Sequence, residues 1–141
     1  MTTSPTIRAQ TSLAVVVVRD AQTQPMVSAA ADVFVHAGAR KEDISIIDAP
    51  SLFHIPLVVK SLAESRDFDG VVILAHALRS DRDRYEMEVP EVYRAVMDIM
   101  TSTGMPLAVG IALCKSARAC ASVHRTVAQR AAKELTILVS R

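Results

Sequence analysis

The sequence contains no tryptophan, and Phe and Tyr together leave it only 4% aromatic over 141 residues. A core must therefore be built from aliphatic side chains, which fits a chain that is 50% hydrophobic. Charge of one sign is not in excess: 16 Lys and Arg against 15 Asp and Glu leave a formal +1. The basic residues are also dispersed, which excludes the electrostatic footprint of a nucleic-acid binder. No apolar run approaches a membrane span; the longest near the start, Leu13 to Val18, is strand-sized. Met1 to Thr11 lacks the charged, apolar and small-residue order of a secretory signal, and Thr2 to Ser12 is at most a short organelle-targeting remnant. There are only two cysteines, Cys114 and Cys120, without metal-ligand spacing around them. They are expected to be reduced thiols in a cytoplasmic, reducing compartment. Gly-rich phosphate loops and nucleophile motifs are absent too, so neither a metal nor a cofactor is expected.

What is present is an alternation. Leu13 to Val18, Ile44 to Ile47, Val71 to Leu74 and Leu107 to Leu113 are short β-rich apolar runs that read as strands. Between them lie helical patterns: Met26, Ala30, Val33 and Ala37 after Pro25; Leu57, Val58, Leu62 and Ala63 from about Ile55; and Val92, Val96, Ile99 and Met100 from about Val89. Pro25, Pro56 and Pro90 suit first helical turns, and Gly38 and Gly104 suit helix ends. A last helix after Ser116 carries Val123, Val127, Ala131 and Leu135. Connections too long for hairpins predict right-handed crossovers. The expected fold is a three-layer α/β/α domain over residues 12–141 with a four-stranded parallel sheet. Residues 1–11 form an extended or disordered arm before it, and Arg19 to Gln22 a turn after the first strand.

The stretch Asp69 to Tyr85 organises the rest. A strand buried on both faces gives way, without Gly or Pro, to a loop of alternating charge containing Arg79, Asp81, Arg82, Asp83 and Arg84. Ligands of open α/β sheets bind at the carboxyl ends of strands. The predicted cleft therefore gathers Arg19-Asp20, Pro50 to His54, Ala75 to Arg84 and Cys114-Lys115. The three arginines suit a phosphate or carboxylate, or else pair with the loop's own aspartates on a solvated surface. His54 stands before a helix N-terminus, as a cap, an interface residue or an anion ligand. His76 is expected to make satisfied interior hydrogen bonds. His36 and His124 show no visible partner, and Cys114 is a nucleophile only if a base adjoins it.

The order of motifs resembles the lumazine synthase family, the penultimate enzyme of riboflavin biosynthesis. Where that family reads P-G-A-F/Y-E-I-P, this chain has Pro50-Ser51-Leu52-Phe53-His54-Ile55-Pro56. Where it reads D-A-V-I-A-L-G-A-V-I-R-G-x-T-x-H-F, this chain runs from Asp69 to Tyr85, with the family's Arg at Arg79 and its aromatic at Tyr85. The T-G-x-P junction recurs at Thr103 to Pro106, and the following strand carries the family's Gly at Gly110. The resemblance extends over about Leu13 to Leu135. It implies a flavodoxin-like sheet and a cleft binding a ribitylated pyrimidine, or a flavin-like ligand, together with phosphate. Substrate positions implied are Asp20, Ser51, Leu52, Phe53, His54, Arg79 and Cys114. Phosphate positions are Ser80, Asp81, Arg82 and Arg125.

The departures from the family fall on these positions. Its general acid/base histidine falls on Arg84, which does not exchange protons near neutral pH. The Gly and Thr of its phosphate loop fall on Ser80 and Arg82, its Gly-Ala pair on Ser51-Leu52, and its Glu on His54. The aromatic that stacks on the pyrimidine falls on Asp20, and Pro90 stands inside what is helix in the family. Two readings follow. One is a non-catalytic or weakly active scaffold that assembles symmetrically and binds a ligand or partner, and the altered positions favour it. The other is an active synthase condensing 5-amino-6-ribitylaminouracil with 3,4-dihydroxy-2-butanone 4-phosphate. The resemblance also implies homopentamers or multiples of them, with Thr6 to Ser12 adding to a neighbour's sheet, and neither nucleic acid nor membrane as a partner.

Overall fold

The computed structural model describes residues 4–20 and 22–140. Residues 1–3 of the expected arm, and Ala21 of the expected turn, lie outside the described residues. Strand β1 (Leu13–Val17) leads to helix α1 (Gln24–His36), β2 (Ile44–Asp48), α2 (Ile55–Ser65), β3 (Gly70–Leu78), α3 (Val89–Thr103) and β4 (Leu107–Cys114). A short helix α4 (Ala117–Cys120) and a long α5 (His124–Val139) complete the order. The four strands are parallel in the order β2-β1-β3-β4, a flavodoxin-like three-layer arrangement. Alternate residues of the central strands face opposite layers. Leu13, Val15, Val17, Val72 and Leu74 pack in the core with α1 and α5, whereas Ala14, Val16, Val71 and Ile73 pack with α2 and α3.

β3 runs four residues beyond the expected Leu74, because Ala75 to Leu78 pair in register with Ile111 to Cys114. His76 is consequently a strand residue, and the charged loop begins later than its apolar run suggests. In α1 the anchor is Phe34, fully buried, rather than Val33 and Ala37, which only flank the core. α2 buries Ile55, Val59 and Ala63, and Leu57 is turned outward. α3 starts at Val89 as expected, but a single π-helical stretch (Asp83–Glu88) precedes it. That widened turn delivers Pro90, which has no N–H to donate, to the first turn of the α-helix.

Two glycines carry close approaches. A Cβ on Gly110 would lie 3.1 Å from the Ala131 Cβ and 3.3 Å from the Val127 carbonyl oxygen, so its absence lets α5 sit directly on β4. Gly38, at φ +118°, ends α1 where a Cβ would meet the Ile7 carbonyl oxygen at 2.7 Å. Ile7 donates its N–H to the Ala37 carbonyl at 2.8 Å and is buried in its own chain's core. Among the described residues, no helix is long and apolar enough to cross a membrane.

Candidate functional site

The strand order reverses between β1 and β3, which opens a crevice at their carboxyl ends. Asp20, just past β1, is held in a tight turn there. Its Oδ1 accepts from the N–H of Gln22 at 2.7 Å and of Thr23 at 3.1 Å, and its own N–H donates to Thr23 Oγ1 at 2.9 Å. The fully buried Thr23 hydroxyl donates in turn to the Val18 carbonyl at 3.1 Å. The remaining oxygen, Oδ2, lies 2.7 Å from His76 Nε2 on β3. Asp20 thus bridges the two strands of the crevice and orients a buried imidazole, a different task from stacking on a ring.

The expectation for His76 holds at one nitrogen only. Nδ1 is buried and has no hydrogen-bond partner among the described residues, and the same is true of His124 Nε2. The two rings lie 5.5 Å apart between centroids. Burial lowers the His124 pKa, the nearby His76 lowers it further, and Asp20 only partly opposes this. His124 is therefore a neutral imidazole at neutral pH. Sequence reasoning missed this pair; the available signal was the one-turn spacing of Cys120 and His124, with His76 on the strand opposite.

The cysteines correct their expectation. Cys114 and Cys120 are joined as a disulfide, not held as two free thiols. Cys114 is 2% exposed and belongs to the core beside α1 and α5, so it lines no open cleft. The helical turn of α4 is what brings Cys120 back over the end of β4. Its start is capped by the Ser116 hydroxyl, which accepts from the Ala119 N–H at 3.2 Å.

The arginine loop is largely self-paired. Arg84 Nε lies 3.6 Å from Asp81 Oδ2, and Arg82 Nη2 lies 3.6 Å from Glu86 Oε2. Asp81 also accepts from the Arg84 N–H at 3.4 Å, so one carboxylate caps the π-helical stretch and faces the guanidinium. Exposed pairs of this kind stabilise by less than about 1 kcal/mol each, so they are readily exchanged for an anion. Arg79 is tied to β4 through its N–H, which donates to the Cys114 carbonyl at 2.8 Å; its exposed side chain makes no ion pair among the described residues. Ser80 is exposed beside it.

On the β2 side, a 3₁₀ turn at Leu52–His54 sorts the motif residues. Leu52 turns inward and is 1% exposed, filling the core against α2 and α3 instead of crowding the cleft. Phe53 is 75% exposed, with its ring edge-on to His54. Ser51 Oγ lies 2.8 Å from His54 Nδ1, which pins that imidazole at the entrance to α2. Arg125 is exposed on the first turn of α5.

The match to known proteins agrees with this frame. The family described as 6,7-dimethyl-8-ribityllumazine synthase matches residues 11–139. A relative with that description from Desulfosudis oleivorans is 30% identical over 89 residues, which is 63% of this chain and 57% of the relative. Another from Syntrophus aciditrophicus is 31% identical over 86 residues, 61% of this chain and 56% of the relative. The chain thus spans little more than half the length of the curated relatives it matches.

Proposed function

The chain belongs to the 6,7-dimethyl-8-ribityllumazine synthase family, and from that premise we propose that it is a non-catalytic or weakly active scaffold of that lineage, homo-oligomeric and cytoplasmic, with a residual anion-binding cleft. The observation that carries this reading is Arg84. It stands where the family has its proton-transferring histidine, and its Nε lies 3.6 Å from the Asp81 carboxylate. General acid–base catalysis contributes roughly 10²–10⁴-fold, and a permanently charged guanidinium supplies none of it. Asp20 supports the same reading, because its second carboxylate oxygen is engaged by His76 at the position of the pyrimidine-stacking aromatic.

The experiment is an assay of lumazine formation from the ribitylaminouracil and the butanone phosphate. Neither the unmodified protein nor Arg84→His is expected to turn over, since Ser80 and Asp20 still stand at the phosphate and pyrimidine positions. Titration with inorganic phosphate should show weakening by roughly 1.5–3 kcal/mol in Arg84→Ala, the size of a charge-assisted hydrogen bond. Clear turnover by the unmodified chain would reject the scaffold reading. Arg79 is what favours the alternative, an active synthase, because it keeps the family's residue and is unpaired among the described residues.

The assembly we infer is a pentamer or a multiple of it. β2 is a sheet edge with Ile46 40% exposed, and Phe53, Leu57, Met87 and Met97 leave large apolar surface uncovered on the α2 and α3 side. Such surface suits burial between subunits, whereas the segment expected to add to a neighbour's sheet, Thr6 to Ser12, is held to its own chain at Ile7, buried and hydrogen-bonded to Ala37, and at Ser12, hydrogen-bonded to Asp69. Light scattering should give five subunits or a multiple; a monodisperse monomer would rule the assembly out.

A further inference from the structure

Four side chains that the cleft chemistry leaves unused converge behind the crevice floor. His76 comes from β3, Cys114 from the end of β4, Cys120 from the end of α4 and His124 from the start of α5. Their residues are 9%, 2%, 0% and 2% exposed respectively. One donor atom each of His76, Cys120 and His124 lies within 4.8 Å of the other two, and Cys114 is bonded to Cys120. An unpaired buried polar atom is costly, and native proteins seldom keep one without a use. Here two imidazole nitrogens, His76 Nδ1 and His124 Nε2, lack partners among the described residues, and both histidines cluster with Cys120, whose sulfur is bonded to Cys114.

The geometry points to a Zn²⁺ site formed by His76, Cys114, Cys120 and His124, which takes up the metal when the Cys114–Cys120 disulfide is reduced. Asp20 is the outer-shell partner. By accepting the Nε2–H of His76 at 2.7 Å, it sets the tautomer that leaves a lone pair on Nδ1, which is buried without a partner among the described residues. Two nitrogens and two sulfurs suit a borderline-soft ion such as Zn²⁺ and offer nothing to Ca²⁺ or Mg²⁺, which require oxygen ligands. Tetrahedral Zn²⁺ needs its ligand atoms about 3.3–3.8 Å apart, so His76, Cys120 and His124 must close by up to about 1.5 Å, while the two sulfurs, once their bond is reduced, move apart.

The reaction balances with a dithiol as reductant. The dithiol gives two electrons and two protons to the S–S bond, becoming a cyclic disulfide itself, and Cys114 and Cys120 become two thiols. Zn²⁺ then displaces both thiol protons to solvent. Two thiolates, two neutral imidazoles and one Zn²⁺ carry no net charge, which suits a buried place. In the disulfide form only the two imidazoles can ligate, so redox state decides metal occupancy. A four-coordinate site leaves no open position, so its role is to lock β3, β4, α4 and α5 together behind the crevice, not to act on a substrate.

The test uses the full chain with Zn²⁺ and Co²⁺ as probes, in the disulfide form and after reduction by a dithiol that is then removed without air. The reduced chain should bind one Zn²⁺ and, with Co²⁺, give thiolate charge-transfer absorption and strong visible bands of a tetrahedral site. The disulfide form should bind at least about 100-fold more weakly. Cys120→Ser and His124→Gln should abolish the Co²⁺ spectrum, and Asp20→Asn, which keeps all four ligands, should weaken Zn²⁺ about 10–100-fold. A reduced, folded chain without the thiolate–Co²⁺ band would overturn the proposal, as would an unchanged spectrum in both His76→Gln and His124→Gln. The comparison of the two redox forms needs no variant, so it stands even where a substitution prevents folding.

Discussion

Val72→Asp should abolish cooperative folding. Val72 is fully buried in β3, a strand with neighbours on both sides, and pairs in register with Val15 of β1 and Ala108 of β4. Its side chain sits in the apolar core shared with α1 and α5. A carboxylate there has neither water nor a cation to compensate it, and an unpaired buried charge costs about 3–5 kcal/mol or more. Protonation would lessen that cost but would still leave a polar group in aliphatic packing. Against a total stability of about 5–15 kcal/mol for a domain, this removes much of the margin. Circular dichroism with urea titration checks it: the variant should be insoluble or show no cooperative transition. A soluble variant with an unshifted midpoint would place Val72 at a surface and break the sheet order described above.

Phe34→Ala should cost about 3–5 kcal/mol through a different mechanism, a cavity. In a chain with so few aromatics, Phe34 is the largest of the fully buried side chains and holds α1 against the sheet beside α5. Its neighbours are aliphatic and close-packed, so they can collapse into the void only in part. The urea midpoint should fall while the slope of the transition stays the same, because the native fold survives. A loss below about 1 kcal/mol would mean that the site relaxes freely or that α1 contributes little.

The existence and order of the main elements were legible because apolar periodicity reports which faces a chain must bury, and each strand run and helix stripe is local. So were the helix ends at Gly38 and Gly104, whose positive φ favours a residue without Cβ. The family framework was legible for the same reason, since its motifs are contiguous stretches with fixed spacing. Registers within helices were less so: Met26, Ala30, Val33 and Ala37 all fit one stripe, but Phe34 took the central place because it fills more of the space against α5.

Relations between distant residues were not contained in any local pattern. That β3 continues to Leu78 depends on β4 pairing alongside it, and that pairing carries His76 into the interior. Leu52 turns inward, away from the cleft, because a 3₁₀ turn rotates it toward α2 and α3. The arginines of the loop allowed two readings in sequence, an anion site or a self-paired surface, and the structure pairs Arg84 with Asp81 and Arg82 with Glu86. Asp20 and His76 are 56 residues apart, and nothing in either segment announces the other. The sequence by itself determined the layers, the parallel sheet and the lineage, because those follow from period and contiguous motif. Only the tertiary structure decided what the polar residues do, because a polar side chain's role is set by whichever partner folding brings within hydrogen-bond reach.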